Sequence, residues 1–265
     1  MFFLLLYVHI GAHMLTDDEG FAIMKLLLSL FIPTMFAIMW LVESRQPARQ
    51  YVAVKHWSLW GAAFFFLAIA TAAVTPLLWS SIGLSSIRVF DLSAIGLWGY
   101  PLGVLLTSGI AYWWHRAEHR FDILWRATHQ LHHSAQRVDV PGAFYTHPLE
   151  VVVKTTLGIL VGTVLLGLAP LAAALSSLTI AFISIFQHWN INTPRWLGWF
   201  IPRPEMHGLH HEFGIHGRNY GDLPLWDILF GTFDNPQTFT GRVGFEPEAS
   251  QRVGTMLLMR DVHAA

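Results

Sequence analysis

Apolar positions fall along this chain in runs too long for strands and too unbroken for the one-sided stripe of a surface helix. The first extends from about Phe21 to Val42, the second from Trp57 to Ile82 and the third from Leu92 to about Trp114. A fourth stretch, Leu149 to Gln187, is nearly twice as long and is interrupted at GLAP, Gly167 to Pro170. A spanning helix needs about 20 predominantly apolar residues, because a backbone in hydrocarbon must satisfy its own hydrogen bonds. A Gly/Pro break at the midpoint of a double-length run predicts two helices joined as a hairpin. The pattern therefore predicts an all-α, multi-span membrane bundle of four or five helices, with the whole of 1–265 forming one unit. The opening Met1 to Ile10 is too short to span and lacks a basic n-region, so it is expected to lie at the membrane interface rather than to be a cleaved signal peptide.

Composition agrees with the pattern. Only 12% of the residues are charged, against about 25% for an average soluble domain. The formal net charge of -1 leaves no broad basic surface for nucleic acid. If the runs alternate in direction, all of the 16 Lys and Arg residues except Lys25 and Arg88 share one side. The positive-inside rule makes that side, with the C-terminus, cytoplasmic. Cysteine is absent, so any metal must sit on nitrogen or oxygen. The lack of cysteine and the short chain point to a bacterial inner membrane rather than the endoplasmic reticulum.

Histidine changes the picture. Of 15 histidines, ten lie between His115 and His211. HRAEH sets His115 and His119 four apart at the end of the third run, on one face of a helix. HQLHH places His129, His132 and His133 shortly after it, and HGLHH repeats that spacing at His207, His210 and His211. At this chain's histidine frequency, even one H-x-x-H-H is about a 5% event. Adjacent histidines are offset by about a third of a turn and can reach two different ions. His188 ends the second half of the long apolar stretch, and His147 begins the first half. A catalytic zinc takes three protein ligands and a structural zinc four, so eight to ten candidates suffice for two ions with positions left open. Nitrogen ligation suits iron, zinc, copper or nickel, and affinity alone does not select iron. On ordinary histidine chemistry, metal should be lost as pH falls through about 6.

In their order and their placement at the ends of spans, the three boxes resemble the fatty acid hydroxylase/sterol desaturase family of integral-membrane oxygenases. HPLE (His147 to Glu150), FQHWN (Phe186 to Asn190) and NYGDLPLWDILFGTF (Asn219 to Phe233) strengthen a resemblance that covers residues 92–233. It implies a histidine-rich cytoplasmic helical cap holding two iron ions, with zinc as the expected mismetallation. It also implies O2-dependent hydroxylation or desaturation of a C–H bond in a lipid such as a fatty acyl chain or sterol. The implied ligands are His115, His119, His129, His132, His133, His207, His210 and His211, with His188 as a ninth. His147 is either a ligand or a residue behind the ligands, and His216 is a weaker candidate of the same kind. Some relatives have a histidine where this chain has Asn192, which could reach a metal through water or leave that position open. Glu118, Asp122, Asp139, Glu150, Glu212, Asp222 and Asp227 are near enough in sequence to hold the outer ring nitrogens. Trp113, Trp114, Phe144, Tyr145, Phe186 and Trp189 are candidates for the wall of a lipid pocket, and WDILFGTF reads as a clasp. The chain contains no H-P-G-G haem motif, so the two electrons would come from a separate ferredoxin or cytochrome b5-type donor with its reductase.

Two other readings compete. HRAEH also fits H-x-x-E-H, in which two histidines hold zinc and Glu118 is the general base of a membrane peptidase; that leaves six boxed histidines unused. A metal transporter would place ligands near the bilayer midplane, whereas these boxes lie beyond the ends of the apolar runs.

Overall fold

A computed structural model describes residues 18–215 and 217–263. The interfacial placement of Met1 to Ile10 and any role of His216 lie outside those residues. Five long helices account for the apolar runs: α1 (Asp18–Arg45), α2 (Trp57–Ser81), α3 (Gly99–Arg120), α4 (Pro148–Ile159) and α5 (Pro170–Phe186). Four segments are long and apolar enough to cross a membrane: Leu26–Arg45, Trp57–Ser81, Ser93–Arg120 and Pro148–Leu165. The fifth helix, Pro170–Phe186, is apolar but shorter. Among the described residues there is no strand, only an isolated bridge between Glu212 and Val243.

The hairpin break lies where the sequence places it. α4 runs on through a π-helical turn, Leu160–Leu165, and the chain then reverses before Pro170 opens α5. Gly167 holds a left-handed φ of 55°, and a Cβ there would sit 2.3 Å from the carbonyl oxygen of Phe90. Only glycine fits such a position. The same reversal is sewn to the α2–α3 connection, because the N–H groups of Val89, Phe90 and Leu92 donate to the carbonyls of Val164, Leu165 and Leu166. α3 and α5 meet through small residues, with Gly103 against Ser176, as helices in lipid commonly do.

At the opposite end of the bundle, Glu43 near the end of α1 ties two connections together. Its carboxylate accepts from the backbone N–H groups of Val140 and Asn190 at 3.0–3.1 Å. This fixes the segments after the second histidine box and after α5 to one frame. α6 (Pro204–His210) and α7 (Pro224–Phe230) complete that end. α7 lies alongside α3, with the Trp226 indole donating to Ser108 Oγ at 2.9 Å and Phe230 stacked on Tyr112.

Candidate metal centre

Nine histidines converge at this end in two groups. His115, His119, His129, His133 and His210 form one, and His132, His188, His207 and His211 form the other. Within each group the ligand atoms all lie within 4.8 Å of one another. Residues adjacent in sequence separate: His132 and His133 fall in different groups, as do His210 and His211. The last turns of α3 present His115 and His119. HQLHH is not one continuous α-helix, because Trp125–His129 forms a π-helical turn before α-helical geometry resumes at Gln130–His133. The wider i→i+5 turn takes His129 out of the register of a regular helix.

The ring orientations carry the chemical content. Nδ1 of His115, His188 and His210 donates at 2.7 Å to the carbonyl oxygens of Tyr220, Ser184 and Arg218. His129 Nδ1 donates to Glu150 Oε1 at 3.1 Å, and His132 Nδ1 faces the Tyr145 carbonyl at 3.4 Å. In a neutral imidazole with its proton on Nδ1, Nε2 carries the lone pair. Those Nε2 atoms face one another: His115 to His129 at 2.9 Å and His132 to His188 at 3.2 Å. No proton remains for either pair to share, so each presents two opposed lone pairs, an arrangement that a cation between the rings relieves. Further Nε2 contacts, His119–His115 at 3.2 Å, His133–His210 at 3.1 Å, His188–His207 at 3.0 Å and His207–His211 at 3.0 Å, bring the remaining rings into the same two groups.

Burial keeps the rings neutral. Desolvation, then the neighbouring His188, holds His132 down to about 3, and desolvation holds His188 down to about 4. His129, His133, His207 and His211 are likewise well below the usual imidazole range, first through burial and then through the adjacent imidazoles. Neutral imidazole is the form that binds metal.

Several supporting groups carry no sequence signal, since any residue supplies a carbonyl. The NYGDLPLWDILFGTF stretch acts as a clasp that aims two of them. Asp227 accepts from the Tyr220 and Gly221 N–H groups and the Thr232 hydroxyl at 2.7–2.8 Å. Asn219, at a left-handed φ of 53°, bonds Met206 and Asp234. The fully buried Arg203 precedes α6 and bonds Thr193, Asn235, Pro236 and Glu205, fixing the helix that carries the last box. Of the candidate carboxylates, Glu150 bonds a ring and Glu118 comes within 3.9 Å of the same ring. Asp139 instead serves Trp57, Arg137 and Gly142, and Asp122 pairs with Arg126.

The structure places two candidate ligands elsewhere. His147 caps α4: its Nδ1 accepts from the Leu149 N–H at 3.1 Å and its Nε2 donates to the Leu257 carbonyl at 3.3 Å. Both nitrogens are thus engaged, in the tautomer opposite to that of the gathered rings. Asn192 is exposed and joins neither group. The wall aromatics are also mostly elsewhere. Phe144 lines the cavity described below, but Tyr145 packs on Trp57 and Phe64, Phe186 on Trp189, and Trp113 on Phe230.

A cavity of about 320 Å³ runs between α1, α2, α3, α4 and α5 and ends on His115, His129, His132, His188 and His207. Along α5 its lining extends from Ala174 to His188, about 20 Å at 1.5 Å per residue. Its walls are small and apolar for most of that length, including Ala68, Ala72, Ala174, Leu178 and Ala181. The charged side chains Glu150, Lys154 and Asp222 collect near the histidines, and Ser29, Thr107 and Ser177 are polar residues farther along.

A stretch of 140 residues is 35% identical to an ornithine lipid hydroxylase of Rhizobium tropici, covering 51% of this chain and 41% of that protein. Human alkylglycerol monooxygenase is 29% identical over 154 residues, covering 56% of this chain and 33% of that protein. A sphingolipid C4-hydroxylase of Schizosaccharomyces pombe is 28% identical over 145 residues, 53% of this chain and 50% of that protein. The chain thus spans half or less of the length of these curated relatives. No solved structure matches it. The family model described as fatty acid hydroxylase matches residues 100–232, which is 133 of the 265 residues and takes in all nine gathered histidines, and the chain therefore belongs to the fatty acid hydroxylase family.

Proposed function

We propose that the protein is an integral-membrane oxygenase that hydroxylates a C–H bond of a lipid. Two iron ions would be held by His115, His119, His129, His133 and His210 on one side and by His132, His188, His207 and His211 on the other. O2 is the oxidant, and the two electrons come from a separate ferredoxin or cytochrome b5-type donor with its reductase. The observation that carries the reading is the set of opposed Nε2 lone pairs closing the end of an apolar cavity between membrane-length helices.

Nine neutral nitrogen donors, five in one group and four in the other, would serve two ions, and the five-ring group exceeds the four ligands of tetrahedral zinc. When bound, the irons supply O2 activation and removal of a hydrogen atom from the substrate carbon. The chain's own residues do the rest: Glu150 and the carbonyls of Tyr220, Ser184 and Arg218 hold the Nδ1 protons, and the apolar walls align a hydrocarbon chain and exclude water. The three relatives described above are named as hydroxylases and a monooxygenase, which supports oxygen insertion over desaturation. The charge distribution supports a cytoplasmic metal end.

The peptidase reading loses its base. Glu118 is fully buried and accepts from Thr128 Oγ1 at 2.7 Å, with no water-accessible face toward an open zinc. The transporter reading loses its geometry, since all nine rings gather at one end of the bundle. Metal analysis and Mössbauer spectroscopy of the purified chain test the proposal, with two coupled irons per chain expected. One zinc, with proteolysis abolished by Glu118→Gln, would overturn it. Lipids from cells with and without the intact gene should differ by one added oxygen atom.

A further inference from the structure

The polar lining near the histidines is asymmetric in charge. Lys154, one turn beyond Glu150 on α4, lines the cavity, but its ammonium is already bound to Glu150 Oε1 at 2.6 Å. Glu150 also accepts from Thr146 and His129. Asp222 faces the same cavity with a single hydrogen bond, from Ser184 Oγ at 3.2 Å. A carboxylate has room for about four such bonds, and leaving that capacity empty away from water is costly. Burial raises the Asp222 carboxyl above the usual carboxylate range, with Lys154 offsetting part of the effect.

The position of this carboxylate is as telling as its charge. Ser184 is the residue whose carbonyl receives His188, in the four-ring group, and Asp222 follows by two the Tyr220 whose carbonyl receives His115, in the five-ring group. Asp222 therefore sits beside both groups, at the charged end of a cavity whose remaining length is mainly apolar, with the hydroxyl residues Ser29, Thr107 and Ser177 among its polar lining there. A fully hydrocarbon ligand would gain nothing from it, and an anionic head would meet an unpaired carboxylate while the nearby ammonium is engaged.

We propose that Asp222 and Ser184 seat the polar end of the substrate and that this end carries an ammonium group, so that oxidation falls on carbons close to the head of an amino-bearing lipid. The inference rests on the lipid-hydroxylase reading for its chemistry, but not for the binding itself.

The test uses the full chain in detergent micelles, with hexadecylamine, hexadecan-1-ol and hexadecanoate as probes of equal length, and reads the dissociation constant of each by equilibrium dialysis. The amine is expected to bind at least about tenfold more tightly than the carboxylate. Asp222→Asn should remove that preference while leaving hexadecan-1-ol binding within about twofold, which shows that the cavity is intact. Equal binding of amine and carboxylate, or an amine preference that survives Asp222→Asn, would overturn the proposal. Iron content measured on the same preparations separates the two readings. Iron-loaded protein with no amine preference refutes only the present inference, and metal-free protein with the preference refutes only the oxygenase assignment.

Discussion

The two histidine groups are built from different materials. The five-ring group stands on α3, the π-helical connection and α6, and one of its rings rests on a carboxylate, Glu150. The four-ring group has no histidine on α3 and leans on backbone carbonyls, through His188 at the end of α5 and His132. The groups share walls, since His133 and His211, one from each, stack at 4.1 Å. One group has a fifth ring and a charged support, and the other has neither. Loss of a single ring should therefore have unequal consequences.

The largest effect is expected from the smaller group. His188→Ala leaves three rings and should cost one of two irons and more than about 100-fold in hydroxylation, beyond the range seen for outer partners of metal ligands. His115→Ala leaves four rings and should keep both irons at weakened affinity. Equal metal loss in the two variants would break the comparison. Glu150→Gln should lower metal affinity or activity by about 10–100-fold, with Mössbauer spectra showing the loss confined to one iron. An even loss from both irons would contradict a support peculiar to the five-ring group.

Acid comes next. In the unfolded chain the rings take up protons below the ordinary value of 6.5, whereas His188 and His132 stay neutral in the fold until about 4 and about 3. The unfolded state therefore binds more protons between those limits. The histidines' contribution to the stability of the metal-stripped protein should be flat above pH 6.5 and fall as pH drops toward 4, by up to about 1.4 kcal/mol per pH unit for each ring. A thermal midpoint unchanged between pH 7.5 and 5 would contradict this. Proton competition for bound metal is likewise shifted to lower pH than the value near 6 expected from ordinary histidines. The smallest effect belongs to Gly167→Ala, which should cost about 1–3 kcal/mol through the forced φ and the contact with Phe90, lowering the thermal midpoint with metal content unchanged.

The nine gathered histidines were legible in the sequence because metal chemistry constrains residue type and helical spacing together, and few other pressures produce H-x-x-H-H twice. The spans were legible because a backbone in hydrocarbon allows little else, and the hairpin because Gly167 and Pro170 punctuate a run of double length. His147 was ambiguous because a histidine beside a proline that opens a helix can cap that helix as well as bind metal. The carbonyl partners were invisible, since Tyr145, Ser184, Arg218 and Tyr220 contribute main-chain atoms that their side chains do not advertise. The wall aromatics failed for a related reason: large rings at the ends of spans fill the joints between helices, and the cavity is lined by alanines that leave space. Lys154 and Asp222 could be counted as charges, but only the fold shows that one is paired and the other is not.

α7 has a mechanical consequence for the surrounding lipid. It packs against Ser108, Gly109 and Tyr112, about 12–18 Å short of the end of α3 at 1.5 Å per residue. Leu225, Ile228, Leu229 and Phe230 remain exposed there, with Trp196, Trp199 and Phe200 exposed on the segment before α6. The apolar surface is consequently wider on this flank than the spanning helices alone would make it, and lipid there would meet α7 rather than the face of α3 that α7 covers.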